Sequence, residues 1–466
     1  MPIQFYNTYS RKLEVFKPID PPNVKIYTCG PTVYSFAHIG NFRAYVFEDL
    51  LQRHLEARGF QVERVMNLTD VDDKTICGSR EAGILLPLFT EPYKKSFFED
   101  LESLRIKRAN HFPAATEPEN IATMIEMIAL LLQEDIGYQA EDGSIYFRIS
   151  KYPDYGKLAH LNLADLRPTG RIQNDEYEKE NVGDFALWKA WDEKDGSVGW
   201  ETPWGKGRPG WHIECSAMAT RLLGPEIDIH CGGVDNIFPH HEAEIAQSES
   251  VNRKKFVRYW LHNAHLFVEG QKMSKSLGNF FTLRDLLEKG FSGRELRYAL
   301  LRVNYRLPLN FTFDGLREAR QSLLRIDEWI RRLQAIAGVA AQDSEFAAAK
   351  SDRFFTALDD DLNISAALAE LFNQIRETNR LIDHGELAAG QAAALLDWWQ
   401  RINQVLQLQE DTESVPQLVT ALLEKRAKAR EDSKWAQSDA LRIEIESLGW
   451  LIKDTKDGQK LLKKLG

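Results

Sequence analysis

A β-prone run, a turn and a helical pattern follow one another near the N-terminus, and this order restricts the fold more than any other feature. Residues 24–27 (VKIY) are β-prone and are followed by the turn-forming pair Gly30-Pro31. Apolar residues at helical spacing begin at about Phe42 and end at Gly59, and residues 62–66 are again β-prone. Two strands joined by a helix are typical of a parallel sheet, so the pattern predicts an α/β domain.

The rest of the chain divides into regions of different pattern. Residues 111–205 contain a helical stretch near 121–132, β-prone residues around 144–149 and polar loops, and we interpret them as an insertion. Sheet-like residues return at 226–233, followed by a helical pattern from about His240. Beyond Leu316 the chain is expected to be helical throughout, and Pro416 indicates a linker to a last small module.

Length, composition and charge limit the class of protein. The chain has 466 residues, 43% of them hydrophobic, which predicts several globular domains. No apolar segment resembles a signal peptide or approaches the roughly 20 residues of a membrane span, so a cytoplasmic protein with no membrane contact is expected. The net charge is −10, yet residues 421–466 carry 11 Lys and Arg against 8 Asp and Glu. Such a basic segment suits a local nucleic-acid contact, and a solvated helical face explains it equally well.

Four cysteines are too few for a disulfide scaffold in a chain of this length. Free thiols or metal ligands are therefore expected in a reducing compartment. For any one of them, packing as a small apolar side chain is the alternative.

Two short motifs with complementary chemistry lie far apart. HIGN (residues 38–41) lies where the first strand turns into the first helix, and KMSKS (residues 272–276) lies on a predicted loop. A helix N-terminus suits a triphosphate, and Gly40 permits close approach of the backbone. Lysines on a mobile loop can stabilise charge on departing pyrophosphate. Singly, the motifs are also typical of an ordinary turn and a solvated loop; together they indicate ATP chemistry.

A third pattern, GKGRPG at residues 205–210, matches the dinucleotide-binding sequence G-x-G-x-x-G. No β-prone run precedes it and it contains Pro209, so the strand–turn–helix context is missing. We do not interpret it as a nucleotide site.

HIGN and KMSKS resemble the HIGH and KMSKS motifs of class I aminoacyl-tRNA synthetases. Further segments resemble the cysteinyl-tRNA synthetase family, namely CGPTVY (29–34), NLTDVDDKTI (67–76), GRPGWHIECSAM (207–218) and FPHHEAEIAQSE (238–249). The resemblance covers nearly the whole chain and implies a Rossmann-like catalytic domain with an insertion, followed by an all-helical C-terminal half. The chain departs from the family at Asn41, which replaces the last His of HIGH, at Cys231, where Gly is more common, and in its final residues.

A metal site is suggested by His240 and Glu244, which are four residues apart and share one face of a predicted helix. Cys29 follows the first strand, at the sheet edge where α/β domains bind ligands. Imidazole, carboxylate and thiolate all bind zinc, although the spacing is not that of a zinc finger. The resemblance implies that these three residues and Cys215 hold one Zn²⁺.

The neighbouring His241 and Glu242 are expected to point to other faces of the helix, and to support the site or the fold and not to bind the metal. A zinc ion explains a preference for cysteine, because a thiolate is a softer and better ligand than the hydroxyl of serine. The resemblance implies that Gly30, Thr69 and Trp211 contact the amino acid, while a packed aromatic beside a turn is the alternative for Trp211.

The resemblance also implies catalytic and ATP-binding residues. The catalytic residues are His38, Asn41, Lys272 and Lys275. The ATP-binding residues are His38, Gly40, Asn41, Gly233, Asp235 and Lys275. Asp235 resembles the residue that holds the ribose hydroxyls, and ATP is expected with Mg²⁺.

The expected function is that of a ligase that activates L-cysteine with ATP and transfers it to the 3′ end of tRNA(Cys), acting as a monomer. One alternative is a ligase that joins cysteine to an amino sugar in mycothiol synthesis, which lacks a full anticodon-binding module. The other is a non-catalytic tRNA-binding paralogue, which the intact KMSKS and complete ligand set disfavour.

The expected domain boundaries follow the same resemblance. They are 1–110 and 206–265 for the two catalytic halves, 111–205 for the insertion, 266–317 for the KMSKS loop and acceptor-stem contact region, 318–410 for a helical bundle and 416–466 for an anticodon-binding module.

Overall fold

The computed structural model describes residues 2–161, 167–171, 181–274, 277–349, 352–410, 417–432, 434–455 and 458–463. Among the helices in these ranges, none is both long and apolar enough to cross a membrane.

A four-stranded parallel sheet forms the centre of the catalytic region. The chain first makes an antiparallel hairpin of β1 (Gln4–Asn7) and β2 (Lys12–Val15). The sheet strands are β3 (Asn23–Thr28), β4 (Gln61–Met66), β10 (Ile227–Gly233) and β11 (Val257–Asn263), in the order β11-β10-β3-β4. All three pairings are parallel, which confirms the predicted α/β sheet.

Helix α1 (Ile39–Ala57) connects β3 to β4. It starts three residues earlier than the apolar pattern predicts, because the side chain of His38 caps it by accepting the N–H groups of Gly40 and Asn41. Helices α2 (Asp73–Ala82) and α3 (Leu86–Ser103) follow β4.

The insertion has the predicted helix and strands. It contains α4 (Pro118–Gln133), β5 (Gly137–Gln139), β6 (Ile145–Phe147), a 3₁₀ turn (Ile149–Lys151), β7 (Arg167–Arg171) and β8 (Asn181–Ala190), and β8 also pairs with β9 (Gly207–Pro209). Helix α5 (Trp211–Leu223) follows. Met124 of α4, Met218 of α5 and Trp260 of β11 lie in one hydrophobic cluster, so the insertion packs onto the catalytic sheet.

The segment after β10 differs from the predicted helix. Residues Ile237–His241 form a π-helical turn in which Phe238 has an extended backbone, and α6 spans Glu242–Asn252. The sequence pattern predicts a helix that includes His240. In the structure His240 precedes α6.

A second, smaller sheet carries the lysine motif. It contains β12 (Leu266–Val268), β13 (Gln271–Lys272) and β14 (Leu309–Phe311), in the order β13-β12-β14. Helices α7 (Leu283–Glu288) and α8 (Gly293–Leu301) lie between β13 and β14 in the sequence.

The predicted helical region consists of α9 (Phe313–Ala337), α10 (Ser344–Ala349), α11 (Arg353–Asp359), α12 (Ile364–Asp383) and α13 (Ala389–Leu406). Trp329 of α9 and Trp399 of α13 meet edge to face in its core, with ring centroids 6.3 Å apart.

An acidic turn of three consecutive residues, Asp359-Asp360-Asp361, joins this bundle to the catalytic region. Asp359 accepts from His54 and Arg58 at the end of α1, at 3.0 and 2.9 Å. Asp360 accepts from the side chain of Gln4, whereas Asp361 accepts from the Tyr305 hydroxyl and the Arg306 guanidinium, at 2.7 and 2.6 Å.

The C-terminal module contains α14 (Gln417–Glu431), α15 (Trp435–Ser447), β15 (Trp450–Thr455) and β16 (Gly458–Lys463). The two strands form an antiparallel hairpin, so the chain is helical here only as far as residue 447. Gly449, with a φ of 84°, follows the last helix and allows the chain to turn into the hairpin. Pro416, where this module was expected to begin, lies outside the described residues.

Candidate active site and metal centre

The carboxyl ends of the parallel strands bring most of the predicted site residues together. Cys29 and Gly30 follow β3, Thr69 follows β4, and Gly233 ends β10. Ligands of α/β domains bind at this edge of the sheet. The fold thereby unites residues that lie more than 200 positions apart.

Four donor groups of three kinds converge beside this edge. The ligand atoms of Cys29, Cys215, His240 and Glu244 all lie within 4.8 Å of one another. Cys215 is on α5, His240 is in the π-helical turn and Glu244 is in the first turn of α6, where its Oε1 lies 3.1 Å from Nε2 of His240. The four predicted ligands therefore meet in the folded chain.

His241 also faces this cluster, and the expectation that it points to another face is wrong. Its Nε2 lies 3.3 Å from the Cys29 sulfur. Residues 237–241 form a π-helical turn that contains the extended residue Phe238, so the regular helix assumed in the prediction is absent here. Glu242 does point elsewhere, since its carboxylate accepts the N–H groups of Gly156 and Ala159 in the insertion.

Three further histidines complete the cluster, and sequence reasoning missed all of them. His230 Nε2 lies 3.0 Å from Glu244, His262 Nε2 lies 2.8 Å from Nδ1 of His241, and His212 Nδ1 lies 2.9 Å from Nδ1 of His240. His230 and His262 lie on the apolar strands β10 and β11, where a histidine needs a polar partner; this was the available signal. Cys29, His230, His241 and Glu244 form a second set of donors within 4.8 Å of one another.

Burial sets the protonation of these groups. It lowers the pKa of His212, His240 and His262 to about 3, so these imidazoles are neutral near pH 7, the form that binds metals. The hydrogen bond that the Cys29 thiol donates to Cys215, together with burial, raises the pKa of Cys29, and burial raises that of Cys215. A cation reverses the effect on the thiols, because a coordinating thiol is deprotonated.

The HIGN turn is held by its own side chains. His38 Nδ1 accepts the N–H groups of Gly40 and Asn41 at 3.1 and 3.3 Å, and Asn41 Oδ1 accepts the His38 N–H at 3.1 Å. Both amides are therefore already paired with a side chain. The predicted binding of a triphosphate at this helix N-terminus assumes that they are unpaired. Since Nδ1 is the acceptor, a neutral His38 ring carries its proton on Nε2.

The lysine motif lies against the HIGN turn. A β-carbon on Gly40 would lie 3.2 Å from the methyl group of Met273. Ser274 N–H donates to Asn279 Oδ1 at 2.8 Å, and Lys272 is exposed. Lys275 lies outside the described residues.

At the end of β10, Asp235 is exposed and its carboxylate lies against Gly233, so that a β-carbon at this glycine would collide with it. The N–H of Val234 donates to the carbonyl of Asn263 at the end of β11, at 3.0 Å. The strand end thus presents a carboxylate and a glycine to solvent.

The predicted amino-acid contacts surround a buried polar chain. Gly30 N–H donates to Asn67 Oδ1 at 2.9 Å, and a β-carbon at Gly30 would collide with the Asn67 carbonyl. Asn67 Nδ2 donates to the Thr69 hydroxyl at 3.2 Å, which in turn donates to Glu214 Oε2 at 3.1 Å. Trp211, half-buried at the start of α5, stacks on the His240 ring with centroids 4.2 Å apart.

Comparison with known families agrees with this geometry. The family model for the tRNA synthetases class I (C) catalytic domain matches residues 15–321. The DALR domain matches residues 353–424, and the cysteinyl-tRNA ligase anticodon binding domain matches residues 412–460. Cysteine–tRNA ligases from Chlamydia caviae and Protochlamydia amoebophila are 52% and 49% identical, each over 99% of this chain and 98% of its own length. The chain belongs to the cysteine–tRNA ligase family.

As a member of this family the chain is a class I aminoacyl-tRNA synthetase, a ligase of protein biosynthesis that charges tRNA with cysteine. The catalytic fold is shared with distant synthetases. A methionyl-tRNA synthetase from Mycobacterium tuberculosis superimposes with a TM-score of 0.61 at 16% identity, over 82% of this chain and 89% of its own. A leucyl-tRNA synthetase from Agrobacterium radiobacter gives a TM-score of 0.60 at 12% identity, over 84% and 85%. These likenesses concern the fold alone.

Proposed function

We propose that Cys29, Cys215, His240 and Glu244 hold one zinc ion, and that the ion selects cysteine as the substrate. The observation that carries this proposal is the convergence of two thiols, an imidazole and a carboxylate within 4.8 Å. This mixture of donors suits zinc better than magnesium or calcium, which take oxygen ligands. When bound, the ion offers a soft Lewis acid to the substrate thiolate.

The chain's other residues then position the reactants. His38 donates its Nε2 proton to a phosphate oxygen of Mg-ATP, and Asp235 holds the ribose hydroxyls. Lys272 and Lys275 stabilise the charge that develops on pyrophosphate as the cysteine carboxylate attacks the α-phosphate. Gly30 and Thr69 contact the amino acid, and Trp211 encloses it. The resulting adenylate passes its cysteinyl group to the terminal ribose hydroxyl of tRNA(Cys).

Histidines behind the ligands orient them. His230 Nε2–H donates to Glu244 Oε2, and His241 lies against the Cys29 sulfur. Ligands held by such neighbours keep their geometry and basicity. His230 and His241 therefore orient the zinc ligands and do not bind the ion themselves, although both belong to the second donor set.

Two adjacent histidines provide the test, with zinc content as the readout. His240→Gln is expected to remove most of the zinc and, with it, cysteine-dependent pyrophosphate exchange. His241→Gln is the matched control and is expected to retain most of the zinc, with affinity lowered about 10–100-fold, as for other supports of metal ligands. Elemental analysis decides: metal loss in His241→Gln but not in His240→Gln would assign the ion to the second donor set.

Further properties follow by the same reasoning. Residues 416–466 read the anticodon, and residues 266–317 contact the acceptor stem. Residues 318–410 form the bundle between these two regions. The catalytic halves are residues 1–110 and 206–265, and the insertion that separates them is residues 111–205. The enzyme acts as a monomer in the cytoplasm. The match to an anticodon binding domain favours tRNA over the amino sugar of mycothiol synthesis as the acceptor.

A further inference from the structure

A buried carboxylate, Glu214, ends the hydrogen-bonded chain that begins at Gly30. Asn67, Thr69 and Glu214 are each no more than 2% exposed, so water does not compete for their hydrogen bonds. Glu214 precedes the predicted zinc ligand Cys215 and follows Trp211 by three positions on α5. Neither the resemblance nor the proposed mechanism gives it a role.

The first two hydrogen bonds of this chain have a fixed direction, and the third has one when Glu214 is ionised. A backbone N–H can only donate, so Gly30 fixes the Asn67 oxygen toward itself and turns the Asn67 amide nitrogen toward Thr69. That nitrogen fills one acceptor position of the Thr69 hydroxyl. An ionised carboxylate can only accept, so the hydroxyl proton goes to Glu214.

The Thr69 oxygen consequently has one acceptor position left and no proton to offer. Among the described residues, Asn67 and Glu214 are its side-chain partners. A hydroxyl in this state accepts from a donor, and the negative charge of Glu214 directly behind it favours a cationic one. The free amino acid carries such a donor, its α-ammonium group.

We propose that Glu214 is ionised and is a positioning residue for the α-ammonium group of cysteine, acting through Thr69. This inference rests on the proposed function, because it assumes that Thr69 contacts the substrate. It adds a second basis for substrate choice: the zinc ligands recognise the thiol, whereas the Thr69–Glu214 pair recognises the charged amine. Thiols that lack the amine gain nothing from the pair.

A pair of substrates that differ only in the amine makes the test specific. 3-Mercaptopropionate has the thiol and carboxylate of cysteine without the ammonium group. Dissociation constants of both compounds are measured by calorimetry on the zinc-loaded full chain. The readout is the ratio of the dissociation constant of 3-mercaptopropionate to that of cysteine. Zinc content is determined for each preparation.

Glu214→Gln keeps the shape of the side chain but removes its charge and its strict preference for accepting. It is expected to weaken cysteine binding about 10–100-fold, the value of a hydrogen bond to a charged group, while binding of 3-mercaptopropionate stays within about twofold. Thr69→Val should reduce the ratio similarly, and Thr69→Ser, which keeps the hydroxyl, should preserve it. If Glu214→Gln is insoluble, Glu214→Asp withdraws the carboxylate from Thr69, and the same fall in the ratio is expected.

Three outcomes overturn the proposal, and they differ in what else they overturn. Equal weakening of both compounds by Glu214→Gln would mean that the residue only maintains the structure or the zinc. A reduced ratio in Thr69→Val with an unchanged ratio in Glu214→Gln would leave Thr69 as a substrate contact that works without Glu214. An unchanged ratio in all variants would remove Thr69 itself from the substrate site, and part of the proposed function with it.

Discussion

At the scale of single residues, the site depends on side chains held in one protonation or hydrogen-bonding state. His38 offers a proton at Nε2 because Nδ1 is occupied by the first turn of α1, and His240 is neutral because it is buried. Lys272 and Lys275 contrast with these groups. In the proposed mechanism they contribute only when charge leaves with pyrophosphate.

Lys275→Ala therefore tests a transition-state role. Losing one preorganised charge contact typically costs about 10²–10³ in rate, so kcat for cysteine-dependent pyrophosphate exchange should fall by that factor. The KM for cysteine should change much less, because an interaction made only in the transition state does not contribute to ground-state binding of the amino acid. Steady-state exchange kinetics separate the two constants; a variant in which only the cysteine KM rises contradicts the assignment.

Sequence reasoning recovered the site residues unevenly, for a physical reason. Cys29 and Glu244 belong to recognisable segments and could be assigned through them. The position of His241 depends on a π-helical turn that the apolar pattern does not reveal, and the pattern also placed His240 within a regular helix. The role of Glu214 depends on the direction of hydrogen bonds across two elements, which no spacing along the chain encodes.

At the scale of elements, a buried ion pair locks the first helix to the rest of the molecule. Asp49 of α1 and Arg297 of α8 are both fully buried, and their nearest oxygen and nitrogen are 2.5 Å apart. Arg297 also donates to the carbonyls of Leu104 and Leu406, after α3 and at the end of α13. One side chain thus joins four helical segments, and α1 carries the HIGN turn at its start.

Asp49→Asn should destabilise the enzyme by about 3–5 kcal/mol, because it leaves a buried guanidinium without its counter-charge. Glu134→Gln breaks the exposed pair with Arg253 and is the matched control, with an expected cost of about 0–1 kcal/mol. Denaturation of both variants with urea at pH 7 measures the difference. Equal midpoints would show that the buried pair has no net stabilising effect.

The same pair predicts a pH dependence. Burial alone would raise the pKa of Asp49, but Arg297, Arg53 and Arg64 outweigh it and hold the pKa below its usual value. A depressed pKa adds stability that is complete above the unfolded-state value of about 3.9 and is lost as the pH falls through the folded-state value. The native enzyme should therefore lose more stability than Asp49→Asn as the pH falls from 5 to 2, as measured by urea denaturation of both proteins across this range.

At the scale of the whole molecule, the match to the catalytic domain and the match to the anticodon binding domain cover separate regions of the chain. The site residues described above lie before residue 290, whereas α14, α15 and the terminal hairpin have a small core of their own, including Val419, Leu422, Ile445 and Ile452. Trp435 is 58% exposed and lies beside Arg430, with the guanidinium carbon 5.7 Å from the ring centroid. An exposed aromatic and basic residues are the groups that bind unpaired bases and phosphates of RNA loops.

Deleting residues 416–466 should therefore leave cysteine-dependent pyrophosphate exchange nearly intact and greatly reduce aminoacylation of tRNA. Both reactions are measured on one truncated preparation, with its melting temperature as the control for folding. Equal losses in both reactions, accompanied by a lower melting temperature, would mean that the module only stabilises the bundle.

The acidic turn at residues 359–361 has a consequence for how such enzymes can be recombined. Its three carboxylates find their partners on α1, on β1 and in the segment after α8, which come from distant parts of the chain. A grafted bundle keeps these contacts only if it has carboxylates at the same three positions, and a deletion of one residue in the turn would displace all three contacts together. A chimera therefore has to carry the turn and its hydrogen-bond partners across the junction together.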